Sequence, residues 1–238
     1  MSEIYFFRHG QASFGASDYD RLSPIGIRQA RITADHLAGL DIGFDAVYSG
    51  RMKRQRDTAQ SFCQRCAGLI TDGGGAGILR AFDEYDARAL LLARASVSRS
   101  PDALIASELS RLRKDKRAFQ VYFTRTVNEW LEGCYDGYEG IEPWPSFCDR
   151  VRGGVEHLRK KHGRGSRMAV FTSGGPISVV VQMALGLSHS KTLEISWEVM
   201  NASFTCIKYN SSGAVSLSVF NNTTPLLMAG DPALLTYR

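Results

Sequence analysis

The sequence predicts an α/β protein: a three-layer sandwich with a mostly parallel central sheet and an inserted helical cap. Two observations carry this. Strand-like and helix-like segments alternate in the first third of the chain and again after residue 150, the signature of helices laid on a largely parallel sheet. Between them, residues 84–150 lose that alternation and become rich in Ala, Leu, Arg and aromatic residues. At 238 residues the chain suits a single domain, 1–238, interrupted by this insertion, and is long enough to bury a core without disulfide or metal support.

The elements follow in order. Residues 3–8 form a short continuous apolar run through Ile4, Tyr5, Phe6 and Phe7, which suits a strand buried on both faces. Ser23 followed by Pro24 is an N-cap followed by a favoured first helical residue, and Ala30, Ala34, Leu37 and Ala38 recur at helical spacing. Gly39 or Gly43 marks the end of that helix. Phe44–Ser49 reads as a second strand, 51–67 as a second helix and Thr71–Gly77 as a glycine-rich loop. Ile78–Phe82 reads as a third strand. Within the insertion, 101–117 and 119–134 read as helices that cap the sheet and shape a pocket. Val151–Lys161 is helical and Met168–Thr172 is a buried strand. Ser173-Gly174-Gly175-Pro176 opens a helix running to about Leu187. The tail has β-like runs at 202–209 and 214–220, whose Val215, Leu217, Val219 and Phe220 would offer an edge for a homodimer.

Composition narrows the function classes. Hydrophobic residues at 44% and charged residues at 22% are ordinary for a globular protein. The formal net charge is +5 and the sequence pI about 9.0, which favours anionic partners. The basic residues are scattered, with no run of five, so nucleic acid is not expected as a partner. No apolar run reaches the ~18 residues of a membrane span, and the first residues lack a signal-peptide pattern, so no membrane partner and a cytoplasmic location are expected. The five cysteines are read as free thiols. Cys63-Gln64-Arg65-Cys66 lacks the second pair or redox context that a functional C-x-x-C needs.

The chemistry concentrates at Arg8-His9-Gly10, where the first strand ends. Ligands of open α/β sheets bind beyond the carboxyl ends of strands. An imidazole there can attack phosphorus, a guanidinium can fork onto phosphate oxygens, and Gly10 lets backbone pass close to a ligand. Three residues alone would recur by chance. The wider pattern adds Leu22, Ser23, Gly26, Gln29 and Ala30, then Ser49, Arg54, Thr58 and Ala59, then Glu84, then Val170–Ile177.

In that order, across roughly residues 3–187, these residues resemble the histidine phosphatase (phosphoglycerate mutase-like) superfamily. The resemblance implies that His9 is a phosphate-accepting nucleophile, that Arg8 and Arg54 clamp the phosphate, and that Glu84 is the general acid, with Asp83 and Asp86 as nearby rivals. It implies a small phosphorylated substrate, with no cofactor and no metal, because fixed cations suffice to stabilise charge spread over the phosphoryl oxygens. An anion would sit against His9, Arg8 and Arg54, and the arginines would keep His9 neutral.

The sequence departs from the family in one place that matters. Ser173 stands where a second histidine precedes the late glycine pair. Serine offers one neutral hydrogen bond in place of a cationic one, and losing a preorganised donor costs about 10²–10³ in rate. Ser173 and Gly174 are therefore read as phosphate-binding, with the following helix N-terminus as an anion site; Ser173 could equally serve as that helix's N-cap. The main expectation is a metal-independent phosphatase, and the alternative is a phospholigand-binding protein of weak or no turnover. Gln11-Ala12-Ser13-Phe14-Gly15 lacks the residues common in glycolytic mutases, which argues against mutase activity. In the insertion, Arg88, Arg94, Arg99 and Arg125 are read mainly as a solvated face, and Trp130, Tyr135, Tyr138 and Trp144 mainly as core.

Overall fold

The computed structural model describes residues 1–13, 19–73, 75–97, 116–210 and 213–237. The helix read over 101–117 falls almost wholly outside the described residues, as do Arg99, Phe14 and Gly15.

The chain divides into two compact units, Met1–Glu84 with Arg150–Arg238, and Tyr85–Asp149. The first holds a six-stranded sheet. Its strands are β1 (Ser2–Arg8), β2 (Ala46–Ser49), β3 (Gly77–Ile78), β4 (Arg167–Thr172), β5 (Phe204–Tyr209) and β6 (Val215–Asn222). They lie in the order β3-β2-β4-β1-β5-β6. From β3 to β1 the strands are parallel; β5 and β6 are antiparallel additions. The apolar run of β1 is central, hydrogen-bonded to β4 on one side and β5 on the other, which is why it carries no polar alternation.

Side chains alternate across the sheet. Phe7, Val47, Ala169 and Phe171 project to one face and pack with Ala34 and Leu37 of α1 (Pro24–Gly39) and Ala59 and Phe62 of α2 (Lys53–Arg65). The Phe7 and Phe171 rings stack at 4.7 Å. A buried phenylalanine of this kind contributes about 1.5–3 kcal/mol of transfer free energy. The opposite face carries Phe6, which meets Phe82 edge-on at 5.7 Å. Gly154 of α5 (Trp144–Lys161) sits against Ala81 and Phe82 with no room for a Cβ. Helix α6 (Gly174–Leu185) packs on β1, β5 and β6 and completes the third layer. It ends at Gly186, whose left-handed backbone (φ 66°) donates its N–H to Gln182 O.

Ser23 caps α1, its Oγ accepting from Gly26 N–H at 3.0 Å. The third strand is shorter than the sequence suggests: only Gly77 and Ile78 pair with β2, and Arg80–Phe82 form a 3₁₀ turn. The chain leaves the sheet because side chains take its carbonyls. Thr172 Oγ1 donates to Phe82 O at 2.6 Å, and Arg150 Nη1 donates to Arg80 O, Ala81 O and Asp83 O. β6 is an edge strand; its Val215, Leu217 and Val219 are half-buried and Phe220 is exposed. Helix α7 (His189–Glu198) and the short α8 (Thr224–Met228) complete the unit.

The unit Tyr85–Asp149 contains α3 (Ala87–Val97), α4 (Lys116–Leu131) and the start of α5. Trp130, Trp144 and Phe147 form its buried aromatic centre, with Tyr85 packed on Trp130 at 4.8 Å. Tyr135 is buried too, whereas Tyr138 is exposed. Arg94 and Arg125 both pair with Glu129, and Arg88 is exposed.

Candidate active site

His9 stands one residue past β1, where the sheet's parallel strands end. Its backbone is held on both sides: N–H donates to Thr172 O at 2.9 Å, while its carbonyl accepts from Ala202 N–H at 3.2 Å and from Asn201 Nδ2 at 3.1 Å. The residue is 5% exposed. Nδ1 lies 2.7 Å from Gly10 O, and Nε2 lies 3.0 Å from the Arg54 Nε donor. A carbonyl accepts and a guanidinium donates, so the proton belongs on Nδ1 and the lone pair on Nε2. Burial pushes the imidazole well below the ordinary histidine range, and the charges of Arg54 and Arg8 push it further, against a smaller opposing effect from Gly10 O.

That depression links to stability. The unfolded histidine, titrating near the usual ~6.5, binds a proton that the folded one refuses. Between the two values the unfolded state holds more protons, so stability is fully present above the unfolded value and is lost as pH falls. Acidification from pH 7 to 5 is therefore expected to destabilise the wild type more than His9→Ala, by up to about 1.4 kcal/mol per pH unit. Denaturant titrations at pH 7, 6 and 5 measure this; parallel losses in both proteins would show that His9 is not held neutral.

Arg54 is 8% exposed and reaches His9 because α2 starts directly behind the end of β2. Its Nη1 donates to Asp20 Oδ1 at 2.6 Å, and Asp20 Oδ2 accepts from Lys53 N–H at 2.7 Å. One carboxylate thus orients the guanidinium and caps a free amide at the N-terminus of α2. Arg8 is turned differently: its guanidinium donates to the carbonyls of Val199 and Tyr237. Its charge bears on the His9 imidazole. Gly10 N–H donates to Thr58 Oγ1 at 3.2 Å. A Cβ on Gly10 would overlap the carbonyl of Gly26, so the strand exit and α1 touch backbone to backbone.

Glu84 Oε2 accepts from Gly175 N–H, in the first turn of α6, at 3.1 Å. Its rivals are engaged elsewhere. The Asp83 carboxylate is buried and accepts from Arg51 N–H and Arg51 Nε, both at 2.6 Å. Asp86 is exposed and accepts from Ala89 N–H at the start of α3. Ser173 occupies the N-cap position of α6 without making a side-chain cap bond; its Oγ instead accepts from Gln55 Nε2 at 2.9 Å. Gly174 is buried in the same first turn.

Three residues beside these were not singled out from the sequence: Asp20, Gln55 and Asn201. Each is polar and touches a site residue, and Gln55 and Asn201 are fully buried. Gln55 lies in the strongly charged stretch Lys53–Asp57, and nothing in that pattern marks it as inward-facing. Among the described residues, no three His, Cys, Asp or Glu side chains come together as metal ligands, and no helix is long and apolar enough to cross a membrane.

A model of the histidine phosphatase superfamily (branch 1) matches residues 4–72 and 114–223. The chain belongs to that superfamily. The match skips residues 73–113. Among solved structures, it is similar to a mutant phosphoserine phosphatase from Entamoeba histolytica in complex with phosphoserine, at 16% identity and TM-score 0.61, covering 95% of this chain and 100% of that one. It is also similar to a mycobacterial glucosyl-3-phosphoglycerate phosphatase, at 20% identity and TM-score 0.59, covering 92% and 98%. A third is YhfR of Bacillus stearothermophilus, at 14% identity and TM-score 0.64, covering 95% and 100%. At these identities the likeness is one of fold. None of the curated proteins compared with the chain matches it.

Proposed function

We propose that the chain is a phosphoric monoester hydrolase that acts on a small phosphorylated substrate through a phosphohistidine on His9. One observation carries the reading: a buried imidazole held neutral, with its Nε2 lone pair against Arg54. When phosphate enters, the Arg54 Nε–H moves from Nε2 to a phosphoryl oxygen, which frees the lone pair; Nε2 then attacks phosphorus, forming N–P as the ester P–O bond breaks. The leaving oxygen takes the proton of the Glu84 carboxylic acid. Water then attacks the phosphohistidine, its proton passes to the Glu84 carboxylate, and inorganic phosphate and neutral His9 are released. Arg54 and the N-terminal amides of α6 stabilise the equatorial oxygens, and Arg8 joins them once its guanidinium exchanges a carbonyl partner for phosphate. The structural neighbours named for phosphoserine and glucosyl-3-phosphoglycerate support a small phosphomonoester as the substrate class.

A second reading, phospholigand binding with little turnover, is favoured by Ser173 alone, which supplies no positive charge. Rapid-quench experiments into alkaline SDS, with ³²P-labelled aryl phosphate in EDTA, separate the two. A base-stable, acid-labile phosphoprotein plus steady phosphate release supports hydrolysis; tight phosphate binding with neither supports the second reading.

Glu84→Gln tests the acid. With an alkyl phosphate, whose leaving group needs a proton, kcat should fall about 10²–10⁴-fold. With p-nitrophenyl phosphate, whose phenolate leaves unaided, it should fall less than about tenfold. Equal losses on both esters would remove Glu84 from the role.

A further inference from the structure

Gln55 follows Arg54 on α2 and is fully buried. Its amide has three partners. Oε1 accepts from Met52 N–H at 3.3 Å, and Nε2 donates to Phe82 O at 3.2 Å and to Ser173 Oγ at 2.9 Å. The Met52 donor and the Phe82 acceptor fix which end of the amide is which, so a flip would lose both bonds. Gly50 leaves the space this amide occupies: a Cβ there would overlap Gln55 Oε1.

The strands place this pair beside the nucleophile. In the parallel β1–β4 ladder Phe7 pairs with Phe171 and Arg8 with Thr172. His9 N–H donates to Thr172 O, the next rung. His9 and Ser173 therefore leave the sheet side by side, on the face that carries the stacked Phe7 and Phe171 rings.

We infer that Gln55 is a positioning residue that aims the Ser173 hydroxyl at the transferring phosphoryl group, in the place where the family has a cationic histidine. The inference rests on the phosphatase reading of the site. An amide NH₂ only donates, so Ser173 Oγ receives from Gln55 and its own hydrogen must point to another acceptor. An equatorial oxygen of a phosphoryl group bound to His9 Nε2 is that acceptor. No proton is transferred; the hydroxyl makes one hydrogen bond, strongest as charge builds on the oxygen. A buried, preoriented dipole there recovers part of what the missing charge would supply.

The test is a double-mutant cycle of Gln55→Met and Ser173→Ala, read in p-nitrophenyl phosphate hydrolysis and in orthovanadate affinity by calorimetry. Ser173→Ala should lower kcat about 10²-fold with KM changed by less than about threefold. Gln55→Met should lower kcat by about 10–10² in the wild-type background and by less than about twofold when Ser173 is already alanine. Vanadate binding should weaken in the same pattern. Equal losses in both backgrounds would mean that Gln55 only supports α2 and Phe82, and would overturn the inference. So would an unaffected Ser173→Ala. If the wild type does not hydrolyse the ester, the phosphatase reading fails by itself, and the vanadate cycle still decides the role of Gln55. Should Gln55→Met not fold, Gln55→Glu replaces it: its carboxylate accepts the hydroxyl hydrogen, and full activity in that variant would refute the inference.

Discussion

Replacing His9 with alanine should lower kcat/KM for an aryl phosphate by at least about 10⁴-fold, as loss of a covalent nucleophile does elsewhere. The substitution removes the buried imidazole with its Nε2 lone pair, yet leaves the backbone there in place. The contacts that hold residue 9, to Thr172, Ala202 and Asn201, are all made by its main chain. The side chain itself contributes only the bonds to Gly10 O and Arg54. The variant should therefore fold and still bind inorganic phosphate through Arg54 and the start of α6. Steady-state kinetics paired with phosphate calorimetry checks both halves. Activity within tenfold of wild type would place the nucleophile elsewhere.

Loss of Arg54 should be nearly as severe. Arg54→Ala is expected to cost about 10³–10⁵ in kcat, the range measured when an arginine is withdrawn from a phosphoryl-transfer site. Two effects combine. On the proposed mechanism the guanidinium would stabilise charge on the equatorial oxygens, and its Nε bond holds the His9 ring in its tautomer and orientation until phosphate takes that donor over. A third consequence can be read separately. The Arg54 charge helps to depress the His9 imidazole, so its removal raises that value toward the ordinary range. A protonated imidazole is not a nucleophile, so the acid limb of the pH–rate profile should move to higher pH in the variant. Arg54→Lys should restore much of the charge but not the fork that reaches His9 and Asp20 together. An acid limb that stays put would show that the two groups are not electrostatically coupled.

The candidate site residues differ in how the sequence marks them. His9 is marked by its place at the end of an unbroken apolar run, because a central strand needs such a run and its carboxyl end is where ligands bind. Ser23 and Pro24 announce α1 because cap chemistry is local. Arg54 was legible only through a motif spanning several elements; taken alone, it is one basic residue among four in Arg51–Arg56. The third strand is shorter than its sequence suggests because its end is decided by Thr172 and Arg150, about 70–90 residues away in sequence, taking the carbonyls of 80–83. The orientation of Arg8 likewise depends on Val199 and Tyr237, 191 and 229 residues downstream.

Local chemistry is written in the sequence: which segments are strands and helices, where α1 is capped, and which residue types gather at the end of β1. Hydrogen bonds that side chains make to residues distant in sequence are not. Gln55 against Ser173, Asp20 against Arg54 and Asn201 against His9 O join residues separated by 118, 34 and 192 positions. No periodicity or spacing encodes such pairs. They form because a folded interior leaves a buried donor only those acceptors that packing brings within about 3 Å, and that choice is made by the tertiary structure.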